Sequence, residues 1–117
     1  MTEEELQTYL DRMAAAYSAG DAKACANLFT EDAQLHSSFA PPALGRAAIE
    51  ALHEDWVAEP SAKSFVLVDH GSAGDIAWCV CRFSEGHEAG NGTSQLILER
   101  QTNGAWRARS CWLFGDD

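Results

Sequence analysis

The sequence predicts an α+β fold, with three N-terminal helices followed by an antiparallel sheet. Three observations carry this. Apolar residues recur at helical spacing through the first half of the chain, with cap and stop signals between the runs. Near residue 62 the period switches to alternation. The run from Ile76 to Phe83 is then apolar on both faces, as in a strand covered on each side.

Thr2 and Glu5 have capping-box spacing, and Glu3, Glu4 and Glu5 suit the positive end of a helix dipole, so a helix begins near residue 3. Leu6, Tyr9, Leu10, Met13 and Tyr17 form its apolar face, and Gly20 ends it. Asp21 is placed to cap a second helix with the stripe Ala24, Cys25, Leu28 and Phe29, which Thr30, Glu31 and Asp32 stop. In the short strand that follows, Ala33, Leu35 and Ser37 share one face, and Gln34, His36 and Ser38 the other. Pro41 and Pro42 have no N–H to pair, so the chain turns there. After Gly45, the segment RAAIEALHEDWVAE puts Ile49, Leu52, His53, Trp56 and Val57 on one helical stripe. Glu50, Glu54, Asp55 and Glu59 fall mostly off it, toward solvent.

In the second half, Phe65 to Asp69 reads as a strand, His70 to Gly74 as a turn and Ile76 to Phe83 as the antiparallel neighbour. Ile76, Trp78, Val80 and Arg82 face one way, and Ala77, Cys79, Cys81 and Phe83 the other. Helices in a chain this small can cover one of those faces. A second copy is the simplest cover for the other, so a homodimer through the sheet is expected. Glu85 to Gly92 is a glycine-rich hairpin loop without the GxGxxG order of a phosphate cradle. Thr93 to Arg100 is the next strand, and Asn103-Gly104 is a hairpin turn into Trp106 to Phe114.

With 117 residues the chain makes one domain, residues 1–117, with a single core. Its formal net charge of −10 repels phosphate backbones and anionic membranes, so neither nucleic acid nor a membrane is an expected partner. Residues 1–60 hold 11 acids against 3 Lys/Arg, as solvated helix faces would. Glutamates stand where a signal peptide needs a basic region, and no apolar run approaches the ~18 residues of a membrane span. A cytoplasmic location is expected. Cys25, Cys79, Cys81 and Cys111 lack zinc spacing and read as buried free thiols of a reducing compartment. His36, His53, His70 and His87 are scattered, so no metal or other cofactor is expected. His36 and His70 are placed at strand edges, and His87 in an exposed loop.

The runs AYSAGDAKACANLFTEDAQLH and PPALGRAAIEALHEDW, with Gly20-Asp21 between two helices, Phe29 to Ala33 entering a strand and Gly45-Arg46 opening the third helix, resemble the nuclear-transport-factor-2-like superfamily. Within it they are similar to the SnoaL-like branch, which includes ketosteroid isomerases. The resemblance spans nearly the whole chain. It implies a cone-shaped fold, with the three helices lying across a strongly curved sheet and a cavity between. It also places Ser37, Met13 and Leu96 where the isomerases carry the proton-shuttling aspartate, the tyrosine oxyanion donor and the protonated aspartate. None of the three supplies that chemistry.

Candidates for the cavity are Tyr17, Ser37, Phe39, His53, Trp56, Trp78, Leu96 and Trp112, an aromatic set with one or two polar points. His53, a titratable ring on an apolar stripe, is the candidate catalytic group and reads equally as a core histidine satisfied by a carbonyl. Asp69 and Glu99 are carboxylates that spacing alone does not bring to it. Three functions fit: binding of a small, mostly apolar molecule; a cofactor-free isomerase, lyase or hydrolase of a polyketide-like metabolite using His53; or a dimeric association module whose own side chains fill the cone.

Overall fold

The computed structural model describes residues 1–58, 62–86 and 91–116. Its elements are α1 (Glu3–Ser18), α2 (Ala22–Ala26), β1 (Phe29–Ser37), β2 (Ala43–Leu44), α3 (Arg46–Trp56), β3 (Ser64–Ala73), β4 (Ile76–Ser84), β5 (Gly92–Arg100) and β6 (Trp106–Gly115). Glu59 and His87 lie outside the described residues, so their expected exposure has no structural counterpart here.

The local signals work as read. Thr2 Oγ1 accepts from Glu5 N at 3.1 Å while Glu5 Oε1 accepts from Thr2 N at 2.9 Å, closing the capping box. Gly20, at φ 70°, turns the chain out of α1, and Asp21 caps α2 through Ala24 N at 3.0 Å.

The six strands form one curved, unclosed sheet in the order β2-β1-β6-β5-β4-β3. All neighbours are antiparallel except β1 and β6, which run parallel and join the two halves of the chain. Register irregularities between Leu67 and Asp69 and between Ile97 and Leu98 insert extra residues, which bend a sheet and sharpen its twist. On the concave side α1 packs against β3 and α3 against β1 and β2, while α2 packs on both helices. Leu6, Leu10 and Met13 of α1 and Ile49 of α3 meet Ala77, Cys79, Cys81, Leu96, Leu98 and Cys111 of the sheet in the main core. Tyr17, Ala22, Cys25 and Val57 form a second cluster where the helices meet.

Three boundaries differ from the sequence reading. Helix α2 stops at Ala26, and Phe29 opens β1 instead of closing a helical stripe. The pull is tertiary: Leu28 O accepts from Ala108 N at 2.8 Å, and Arg46 donates twice to Phe29 O. Beyond the prolines, Ala43 and Leu44 return to pair with Leu35 and Gln34, a short strand the local pattern did not show. Strand β3 runs on through His70 to Ala73, leaving only Gly74 and Asp75 for the turn. The irregularity at Val68 resets its alternation, and Gly71 pairs with Trp78, whose indole lies where an added Cβ would stand 2.5 Å from Nε1.

Candidate functional site

Between α1, α3 and the concave sheet lies a cavity of about 480 Å³, within the range of small-molecule sites. Met13 and Tyr17 reach it from α1, and His53 and Trp56 from α3. Phe29 and Leu35 come from β1, Phe65 from β3, Phe83 from β4, Ser94 from β5, and Cys111 and Leu113 from β6. Exposed Phe39, Asp55 and Ala58 also line it, marking its solvent side. Lys63 and Glu85, at adjacent ends of β3 and β4, complete the wall.

His53 is 4% exposed and ringed by aromatics: Trp56 edge-on at 5.3 Å, Tyr17 edge-on at 6.4 Å and Phe29 tilted at 6.1 Å. Its Nδ1 lies 2.8 Å from Ile49 O, one turn back in α3. A carbonyl can only accept, so Nδ1 carries the proton and Nε2 is left as an acceptor. Burial pushes the pKa of the ring below its ordinary value, favouring the neutral form. Both sequence readings therefore meet in one residue, which is anchored to backbone on one edge and lines the cavity. No described carboxylate bonds it: Asp69 and Glu99 are not on the cavity wall.

A second polar cluster faces it. Lys63 Nζ stands 3.4 Å from Glu85 Oε1 and lies over the rings of Tyr17 at 4.4 Å, Phe83 at 4.7 Å and Phe65 at 5.6 Å. Tyr17 Oη is 3.0 Å from Trp56 O and 3.3 Å from Glu85 Oε1, so its proton is shared between two acceptors. Burial and the neighbouring Glu85 carboxylate raise the tyrosine pKa, keeping the hydroxyl protonated as a donor. Burial lowers the Lys63 pKa, with Glu85 opposing.

Of the sequence candidates, Tyr17, Phe39, His53 and Trp56 are brought together on the cavity wall. Ser37 is half-buried outside it, its Oγ accepting from Phe39 N at 3.2 Å. Leu96 is sealed in the core at 1% exposure, paired with Cys79 and Cys111. Trp78 and Trp112 require correction, for they stand on the opposite, convex face of the sheet. Alternation decides this, since Cys81, Phe83, Cys111 and Leu113 point inward and their sequence neighbours must point out. His36 stacks on Trp112 there, with ring centroids 4.1 Å apart.

Lys63 and Glu85 were missed. A signal existed: the inward series Ala77, Cys79, Cys81, Phe83 reaches Glu85 in one more step of two, and Phe65 reaches back to Lys63 in the same way. Among the described residues, no three His, Cys, Asp or Glu side chains converge as metal ligands.

Solved structures share this architecture. A ketosteroid isomerase-like protein from Erwinia carotovora atroseptica superposes with a TM-score of 0.80 at 13% identity, covering 100% of this chain and 99% of that one. An NTF2-like protein of unknown function from Shewanella oneidensis gives 0.82 at 16% identity, covering 97% and 99%. An NTF2-like protein with a cystatin-like fold from Novosphingobium aromaticivorans gives 0.74 at 24% identity, covering 97% and 81%. At these identities the likeness speaks for the fold alone. No curated protein matches in sequence. The family model for the SnoaL-like domain matches residues 10–114, nearly the whole chain, and with the cone of helices on a curved sheet it shows that this chain belongs to the SnoaL-like domain family.

Proposed function

We propose that the protein binds a small, predominantly apolar molecule with a carbonyl or hydroxyl group inside the cone. The observation that carries this reading is the cavity of about 480 Å³, walled by Phe, Tyr, Trp and Leu side chains with a few polar atoms aimed inward. Apolar area supplies affinity, and His53 Nε2 and Lys63 Nζ supply orientation. A cavity of that volume weighs against an association module whose own side chains fill the cone.

The test is thermal stabilisation by 2-naphthylmethanol of wild type and of Leu113→Trp, which puts an indole into the cavity. At ligand concentrations ~100 times Kd, wild type should gain about 2.7 kcal/mol and the variant little. Equal stabilisation of both proteins would remove the reading.

One observation favours a second reading, a cofactor-free acid–base enzyme. His53 is a neutral imidazole whose unprotonated nitrogen has no hydrogen-bond partner among the described residues. As base it would take a proton from carbon or water, and among the described residues the Ile49 carbonyl alone would steady the resulting imidazolium. Turnover of a carbonyl substrate that persists in His53→Gln would dismiss this role.

We also propose a homodimer through the convex face, where Val66, Val68, Ile76, Trp78, Ile97, Trp112 and Phe114 are exposed together. A patch of this kind on a soluble domain marks an interface. Ile97→Lys should halve the mass measured by light scattering, and an unchanged mass would refute the arrangement. The four buried thiols fit a reducing, cytoplasmic setting, and no helix of the described residues is long and apolar enough to cross a membrane. With a net charge of −10, nucleic acid and anionic membranes remain disfavoured partners.

A further inference from the structure

We propose that Lys63 is a reactive amine in this cavity and captures apolar, aromatic aldehydes as imines. The inference rests on the reading of the cone as a small-molecule site and names the chemical class it takes.

The chain has only two lysines, Lys23 and Lys63. Lys23 is exposed on α2, whereas the Lys63 side chain is 10% exposed, an unusual place for a strongly hydrated ammonium. Its Nζ has a single oxygen partner among the described residues, Glu85 Oε1 at 3.4 Å. Among the described residues it also stands over the faces of Tyr17, Phe83 and Phe65, and it lines the cavity. A purely structural lysine would bring its three N–H groups to acceptors. Here, among the described residues, Glu85 is the one side-chain acceptor, and the other N–H groups meet ring faces or the cavity. Removal from water favours the neutral amine, the nucleophilic form, and the direction of the Lys63 pKa agrees.

The step balances without any cofactor. Glu85 takes one proton from the ammonium, and the freed nitrogen pair attacks the carbonyl carbon, forming the C–N bond. The C=O π pair moves to oxygen, which gains a proton from nitrogen to give a carbinolamine. Glu85 then returns its proton to that hydroxyl, which leaves as water while the nitrogen pair closes the C=N bond. Ammonium and aldehyde have become a protonated imine and water. The positive charge stays where it began, beside Glu85 and over three aromatic rings, so this environment suits reactant and product alike. The aromatic body of the aldehyde fills the apolar remainder of the cavity.

The experiment treats the whole protein with 2-naphthaldehyde and sodium cyanoborohydride, which reduces an imine to a stable amine, and maps adducts by peptide mass spectrometry. Each adduct adds the mass of the aldehyde less one oxygen. Labelling of Lys63 should outpace that of Lys23 by at least about tenfold, because the cavity holds the carbonyl beside the amine. Lys23→Arg should leave the Lys63 rate unchanged, and Lys63→Arg should leave only slow labelling elsewhere. Should Lys63→Arg fail to fold, wild type decides: excess 2-naphthylmethanol must protect Lys63 and not Lys23. Equal labelling of the two lysines, with the alcohol still stabilising the protein, overturns the imine proposal and leaves the binding site standing. An alcohol that neither stabilises nor protects removes both.

Discussion

His53 makes the stability of this protein sensitive to pH in a way that one substitution isolates. The folded ring is buried and neutral, with a pKa lowered from 6.5, while the unfolded ring titrates near that ordinary value. Above pH 6.5 neither state holds the extra proton and His53 adds no pH dependence. As pH falls below 6.5, the unfolded chain binds a proton that the folded ring refuses, so stability is lost at up to about 1.4 kcal/mol per pH unit until the folded pKa is reached. Leucine at this position keeps much of the apolar contact with Phe29, Tyr17 and Trp56, and the Ile49 carbonyl keeps its place in the α3 ladder. Other titrating groups are common to both proteins and cancel. The assay is urea unfolding of wild type and His53→Leu from pH 8 to pH 5. The difference in unfolding free energy should be flat above pH 6.5 and should turn against wild type below it. Parallel curves through that window would mean that the folded ring protonates freely, and the buried neutral imidazole would be wrong.

Other perturbations follow from named contacts. Thr2→Ala removes one side of the capping box and should cost ~1 kcal/mol by urea unfolding, with no change in the cavity. Tyr9→Phe deletes a buried hydroxyl that donates to Leu28 O at 2.6 Å; since Ala108 N still serves that carbonyl, the loss should be about 1 kcal/mol. Gly71→Ala drives a Cβ into the Trp78 indole, and near-ultraviolet circular dichroism should report the displaced ring along with a cost of ~1 to 3 kcal/mol.

The helices were legible because their signals are local. A capping box, a 3.6-residue stripe and a glycine stop involve residues within one or two turns, and α1 and α3 follow them closely. The site was legible where it depended on those stripes: helical period puts His53 and Trp56 on the buried face of α3, and the family resemblance implies the cavity that this face lines. It was misread on the sheet because both faces of β4 are apolar, so alternation separates two sets of side chains without saying which set meets the helices. Trp78 and Trp112, both candidates for the cavity, stand outward.

The sequence by itself determined the order of elements, the faces of the helices and the acidic surface, all functions of spacing along the chain. Only the tertiary structure decided which face of the sheet is concave, that Phe29 leaves a helix for a strand parallel to β6, and that Lys63 and Glu85 meet across 22 residues of sequence. These depend on segments distant in sequence being brought together. Their reward is shared burial and backbone pairing, which no local window records.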